Sequence, residues 1–322
     1  MALILVTQNI PRVGIKALED AGHEVVVGAT DRVLKKEELI ALLNERQYDA
    51  ILALLTDTID AEVLVAAPKL KVVANYAVGT NNIDVTAAKE RAVVISNTPG
   101  VLTDTVAEFA LSLMLATVKR IPEADRYTRA GKFKSWGAEL MLGSDLKGKT
   151  LGILGAGRIG AGVAVRAQKG FGMNVVYYDV QPVPALESEI TCTYLGSVEE
   201  LLRVSDVVSI HVPLLPSTQH LLNRERLAMM KSTAYLINTS RGPVIDEAAL
   251  VDALKRGVIR GAGLDVFENE PALTDGLADL ESVVITPHIA SASVETRDQM
   301  ALMAVANILA VLQGNPAVNP VF

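Results

Sequence analysis

The sequence predicts an α/β protein made of two parallel-sheet domains, Rossmann-like and flavodoxin-like, with a cleft between them. Three observations predict it. The chain has 322 residues, more than one small core accommodates and enough for two domains of ordinary size. Short β-branched runs alternate with helical patterns through both halves, as expected of parallel strands covered by helices. Half of the residues are hydrophobic but only 4% are aromatic, which suits an aliphatic interior and excludes a disordered or fibrous chain.

In chain order, strands are expected at "LILVTQ", "HEVVVGA", "DAILALL", "LKVVANYA" and "AVVISNT", with helical patterns such as "KKEELIALLNERQ" and "VTAAKERA" between them. A continuous helical stretch is expected from about Thr105 to Lys132. A second alternating series opens with "KTLGILGAGRIGAGVAVRAQKGFGMNVVYYD" and runs through "DVVSIHVPL", "TAYLINTS", "GAGLDVF" and "VVITPH". The chain returns to one helix after Ser293, and we expect that helix to pack on the first domain. The first domain then comprises residues 1–100 plus 291–322, and the second residues 101–290.

The formal net charge of −7, without a cluster of Lys and Arg, argues against nucleic acid as a partner. The single cysteine, Cys192, excludes an internal disulfide and points to a reducing, cytoplasmic setting. The longest apolar run, residues 109–118, is too short to span a bilayer and reads as a buried helix, so no membrane partner is expected. No pair of histidines has metal-ligand spacing, and no metal is expected.

"GAGRIG" at 155–160 fits G-x-G-x-x-G, a weak signal alone but here set between a strand-like "TLGIL" and a helical pattern. Gly155 then makes the tight turn, Gly157 lets a pyrophosphate approach the backbone, and Gly160 lets helix pack on strand, with the helix N-terminus facing the phosphates. The next strand ends at Asp179, near the distance expected for a ribose-binding acid. Its charge repels a 2′-phosphate, and "VQPVPALE" after it offers no cation to clamp one. NAD(H) is therefore expected over NADP(H).

Three segments end expected strands with a charged or titratable residue: Arg241 in "INTSRGPVID", Glu270 in "LDVFENEP" and His288 in "ITPHIAS". In an open α/β sheet ligands bind beyond the carboxyl ends of the strands. An Arg fork suits a carboxylate, a His exchanges protons near neutrality, and a Glu orients the imidazole. Each alone is equally consistent with a cap, an acidic loop or a structural histidine; together, after a dinucleotide fingerprint, they point to hydride transfer.

Through "GAGRIG", "SDVVSIHVPLLPSTQHLLN", "LINTSRGPVIDEAAL", "GAGLDVFENEP" and "TPHIASAS", the chain resembles the D-isomer-specific 2-hydroxyacid dehydrogenases over nearly its whole length. "ALLTDTID", "VVANYAVGTNNIDV" and "NTPGVLTDTVAEFALSLMLATVKR" look like the glyoxylate and hydroxypyruvate reductases of that family. The resemblance implies NADH-dependent reduction of a small 2-oxo acid, with Arg241 on the carboxylate, His288 as acid/base and Glu270 supporting it. It further implies that Arg158 and Ile159 serve the pyrophosphate turn, Val212, Pro213, Thr218 and Thr239 the cofactor cleft with Thr105 nearby, and Asp265 the nicotinamide end. Amides of Val78 and Gly79 would meet the substrate carboxylate, and Trp136 matches a tryptophan that in related reductases enters the neighbouring subunit's pocket, which implies a homodimer. Asn75 where many phosphoglycerate dehydrogenases carry arginine, Val78 where phosphite dehydrogenase has lysine, and Glu270 where formate dehydrogenases have glutamine argue against those relatives. D-lactate and 2-ketogluconate remain alternative products or substrates, as does an NAD-sensing interaction protein.

Overall fold

The structure, a computed structural model, describes residues 1–30 and 32–322. The chain divides into two compact units, Met1–Leu102 with Ala292–Phe322, and Thr103–Ser291.

In unit 1, β1 (Leu3–Gln8), α1 (Arg12–Asp20), β2 (Glu24–Ala29), α2 (Lys36–Glu45), β3 (Ala50–Leu54), α3 (Ala61–Ala66), β4 (Val72–Tyr76), α4 (Val85–Glu90) and β5 (Val94–Ser96) alternate along the chain. The strands form one sheet in the order β2-β1-β3-β4-β5, parallel throughout. β4 is buried at every position, as an interior parallel strand with helices on both faces must be. The last helix, α12 (Val294–Leu312), begins where Ser293 Oγ accepts the Thr296 amide at 3.1 Å, a side-chain cap for an otherwise unpaired donor. It packs on α1 and β4. Gly14 makes the close approach to α1 feasible, because a Cβ there would lie 2.9 Å from Ala301 Cβ.

Unit 2 opens with α5 (Thr103–Val118) and α6 (Ile121–Arg129). The single helix expected over 105–132 is thus two, which corrects the sequence reading. Pro122 at the start of α6 has no N–H to donate and its ring disfavours helical geometry upstream, so the chain turns at Arg120 with φ 55°. The Val118 carbonyl, released from the helix, accepts the Ser144 amide at 2.9 Å. The apolar periodicity that suggested one helix belongs to α5, which buries Val106, Ala107, Ala110, Leu111, Leu113, Met114 and Val118.

The rest of unit 2 is β6 (Thr150–Leu154), α7 (Arg158–Phe171), β7 (Asn174–Tyr178), α8 (Pro184–Glu189), β8 (Cys192–Tyr194), α9 (Val198–Val204), β9 (Val207–Ile210), α10 (Arg224–Leu227), β10 (Tyr235–Asn238), α11 (Glu247–Lys255), β11 (Gly261–Leu264) and β12 (Val283–Ile285). The strands again form one parallel sheet, in the order β12-β11-β10-β9-β6-β7-β8. Strand order reverses direction between β6 and β9, the switch point at which doubly wound sheets open a crevice. Aliphatic side chains fill both faces of this sheet, Leu201, Leu236 and Leu250 in one cluster and Val163, Ala164 and Ile237 in the other.

Candidate active site

The turn after β6 is built for a close ligand. Gly155 has φ 91°, a conformation glycine adopts without penalty, and a Cβ on it would strike the backbone of His211 and Val212 at 2.9 Å. At Gly160 an added Cβ would lie 2.0 Å from the Gly155 carbonyl oxygen, so the start of α7 can press on the turn only without a side chain. Gly157, the N-cap of α7, behaves differently: an added Cβ meets nothing within 4 Å. The open space lies at a helix N-terminus, beside the first amides of α7 at Arg158 and Ile159, which have no intrahelical acceptor. A pyrophosphate fits that arrangement of donors and space.

Asp179, just beyond β7, joins this turn, with Oδ2 accepting the Ala156 amide at 2.8 Å and Oδ1 the Val180 amide at 2.7 Å. Backbone donors fix the carboxylate and leave lone pairs for ribose hydroxyls. Val212 and Pro213 follow β9 across the switch point, where the His211 amide donates to the Leu154 carbonyl at 2.7 Å. Thr218 Oγ1 donates to the Pro213 carbonyl at 2.6 Å and accepts the Leu215 amide, closing the turn beyond them. Thr239, after β10, has a buried hydroxyl with no protein partner among the described residues. A buried hydroxyl of that kind is satisfied by a bound polar ligand. Thr105 lies in the first turn of α5, Trp136 is 83% exposed beyond α6, and Val78 and Gly79 belong to unit 1, after β4.

Arg241, Glu270 and His288 follow β10, β11 and β12 in that order. Asn238, with no exposed surface, holds the first of these turns. Its Oδ1 accepts the amide and hydroxyl of Ser240, both at 2.9 Å, and its Nδ2 donates to the Arg241 carbonyl at 3.0 Å. Arg241 Nη1 donates to the Ser240 carbonyl at 2.7 Å. Burial draws the guanidinium pKa down and the Glu270 charge opposes it. An arginine remains protonated through any such change, so the turn presents a fixed, partly desolvated cation.

His288 is in the left-handed region, φ 54°, strained for a residue with a side chain. Its amide donates to the carbonyls of Asp265 and Thr286, at 2.9 and 3.0 Å, which closes the turn, and its ring carries a different function. Nδ1 pairs with Glu270 Oε2 at 2.8 Å, the side chain is 25% exposed, and Nε2 has no partner among the described residues. Glu270 Oε1 accepts the Phe267 amide at 3.0 Å. Burial pushes the Glu270 pKa up, but the hydrogen bond and charge of His288, that amide and Arg241 together hold it below the ordinary glutamate range. The pair therefore keeps an ionised carboxylate against one ring nitrogen and leaves the other to exchange a proton.

Asp265, expected at the nicotinamide end, directly follows β11. Its side chain has no exposed surface: Oδ1 accepts the Thr286 hydroxyl at 2.6 Å and the Ile289 amide at 2.9 Å, and Oδ2 accepts the Ala290 amide at 2.8 Å. Burial pushes its pKa up against these donors. A carboxylate so engaged holds the segment around His288 in place.

Sequence reasoning passed over Asn238, and the only signal for it was an amide residue ending an apolar strand run. It also passed over the His220–Glu268 pair, whose Nε2–Oε1 distance is 2.5 Å. Among the described residues no group of three or more His, Cys, Asp or Glu is placed to hold a metal ion, and no helix is long and apolar enough to cross a membrane.

Residues 111–290 match the family described as D-isomer specific 2-hydroxyacid dehydrogenase, NAD binding domain, which makes this domain one for a nicotinamide dinucleotide. Over 313 residues the chain is 50% identical to a glyoxylate reductase of Korarchaeum cryptofilum, an alignment covering 97% of this chain and 93% of that protein. It is similar in structure to a protein from Thermus thermophilus, with TM-score 0.93, 46% identity and coverage of 99% and 100%. It is also similar to an NADPH-dependent glyoxylate/hydroxypyruvate reductase of Sinorhizobium meliloti in complex with NADP and malonate, with TM-score 0.87, 34% identity and coverage of 99% and 96%.

Proposed function

The chain belongs to the D-isomer specific 2-hydroxyacid dehydrogenase family and is an oxidoreductase, and from that premise we propose that it reduces glyoxylate, and with it hydroxypyruvate, to the 2-hydroxy acid with NADH. The observation that carries the proposal is the His288–Glu270 pair, with Nδ1 held at 2.8 Å and Nε2 unpartnered among the described residues. When bound, NADH supplies a hydride to C2 of the acid. Arg241 grips the carboxylate with two parallel hydrogen bonds. Val78 and Gly79, in unit 1, are assigned to substrate binding through their backbone amides. His288 delivers the Nε2 proton to the carbonyl oxygen as charge develops there, while Glu270 holds the opposite nitrogen and stabilises the imidazolium.

In this reading Gly155, Gly157, Arg158, Ile159 and Gly160 receive the pyrophosphate, and Val212, Pro213, Thr218, Thr239 and Thr105 line the cofactor. Asp265 meets the nicotinamide end of the cofactor and also holds the segment that carries His288. Asp179 favours NADH over NADPH because a fixed carboxylate accepts from a 2′-hydroxyl and repels a 2′-phosphate; the Sinorhizobium protein, by its own description, uses NADPH. We assign the chain to the cytoplasm and read it as a homodimer. Support for the latter is the exposure of Ile121, Phe133, Trp136, Leu140 and Leu142 within one segment, more apolar surface than a lone subunit usually leaves together.

The test is the loss of NADH absorbance, with NADPH in parallel, against glyoxylate, hydroxypyruvate, pyruvate and 2-ketogluconate. The expected outcome is fastest turnover of NADH with the two small polar acids; turnover of none of the four defeats the proposal. Sedimentation of a monomer at micromolar concentration would defeat the dimer.

A further inference from the structure

The loop after β4 has an unusual distribution of hydrogen bonds. Four consecutive carbonyls accept from the protein: Ala77 from the Thr98 amide at 2.9 Å, Val78 from Asn97 Nδ2 at 2.7 Å, Gly79 from Asn75 Nδ2 at 2.8 Å, and Thr80 from the Ile83 amide at 3.0 Å. The amides of Val78, Gly79 and Thr80 have no acceptor among the described residues. A trans peptide unit is planar, with the N–H of one residue directed opposite to the C=O before it. Holding the Val78 carbonyl therefore aims the Gly79 amide, and holding the Gly79 carbonyl aims the Thr80 amide.

Two side chains set these directions. Asn75 has no exposed surface, and its amide pairs head to head with Asn82, at 3.1 Å from its Nδ2 and 3.2 Å to its Oδ1. Asn82 Nδ2 reaches the carbonyls of Leu54 and Asp57, both at 3.1 Å, so the loop is tied to the end of β3. Asn97, beyond β5, is half-buried and holds the Val78 carbonyl from the other side. Amides whose peptide planes are already held are donors that need no reorganisation when a carboxylate arrives.

We infer that Asn97 and Asn75 are positioning residues for carboxylate recognition, fixing the Gly79 and Thr80 amides, with Thr80 N–H a further donor beside Val78 and Gly79. The inference rests on the proposed reduction of a 2-oxo acid. Neither asparagine touches the acid; each acts through the peptide plane it holds.

The experiment compares wild type with Asn97→Ala, measuring KM for glyoxylate, KM for NADH, kcat, Tm and the calorimetric Kd of oxalate in the presence of NADH. Loss of one orienting hydrogen bond should raise both KM for glyoxylate and Kd for oxalate by about tenfold, equivalent to ~1.4 kcal/mol. KM for NADH and Tm should stay unchanged and kcat should stay within about threefold, a split that general loosening of the fold does not produce. Asn97→Gln, which restores a donor on a longer arm, should recover part of the loss. Asn75→Ala, compared at a temperature where Tm shows it folded, should act in the same direction. Oxalate affinity and glyoxylate KM within about twofold of wild type in Asn97→Ala would overturn the inference. If wild type reduces no 2-oxo acid, the proposed function fails, yet oxalate binding needs no turnover and still decides the role of Asn97.

Discussion

Two histidine–carboxylate pairs share one loop of unit 2, Glu268 taking His220 and Glu270 taking His288. The pair assigned to structure is the shorter, 2.5 Å against 2.8 Å. Both histidines have positive φ, 48° and 54°, so neither backbone strain nor hydrogen-bond length separates them. What separates them is the nitrogen used. His220 spends Nε2, its outer nitrogen, on Glu268, whose other oxygen accepts the Glu247 amide at 3.1 Å, and its own amide donates to the Pro243 carbonyl. The result is a brace between the 220 turn, the loop and α11. His288 spends Nδ1 and keeps Nε2 outward, and its carboxylate also feels the Arg241 charge. A short hydrogen bond can thus mark a brace, whereas an outer nitrogen left free on a held ring marks a group able to pass a proton.

The sharpest way to break this comparison is His288→Gln. It should lower kcat by about 10²–10⁴-fold, the range for a lost general acid, with NADH binding unchanged by fluorescence titration. Glu270→Gln comes next. Removing a charge-assisted partner should lower kcat by roughly 10–100-fold, about 1.5–3 kcal/mol. Because the Glu270 pKa is depressed, its contribution to stability is present above the pKa of an unfolded glutamate and is lost as pH falls through the folded value; thermal melts against pH should show that acid limb in wild type and not in Glu270→Gln.

His211, at the end of β9, offers a third contrast: it pairs with Ser209 Oγ at 2.8 Å, and burial pushes its pKa down to about 4. An unfolded histidine titrates near 6.5, so between about 4 and 6.5 the unfolded chain binds more protons, and the folded state loses stability as pH falls. Urea unfolding at pH 7 and pH 5 should differ by roughly 2 kcal/mol from this residue, a difference that His211→Asn removes. His220→Asn should have the smallest effect, about 1 kcal/mol of stability with kcat within about threefold of wild type. A hundredfold loss of kcat there would erase the distinction between the two pairs.

The alternating β-branched and helical runs made the parallel α/β class legible, because buried strands and amphipathic helices impose different periods on the same chain. The glycine turn was legible because its glycines have separate uses: Gly155 and Gly160 allow close approach of backbone, and Gly157 leaves open space at the start of α7. The break at Arg120 is signalled by Pro122, but the apolar period on either side masks it. Other features were hidden because they depend on which loops meet. Glu268 and Glu270 are equivalent in sequence, and nothing there says which histidine each receives. Asn75, Asn97 and Asn238 read as polar residues at strand ends, and only hydrogen-bond partners reveal that each fixes a turn from within.

The central claim, that the turn after β12 carries the proton and the neighbouring pair does not, is tested most directly by NADH oxidation with glyoxylate in wild type, His288→Gln and His220→Asn at saturating NADH. The account predicts turnover in wild type and His220→Asn, and its near-complete loss in a His288→Gln protein that still binds NADH. Near-normal turnover in His288→Gln, or its loss in a folded His220→Asn, would contradict it.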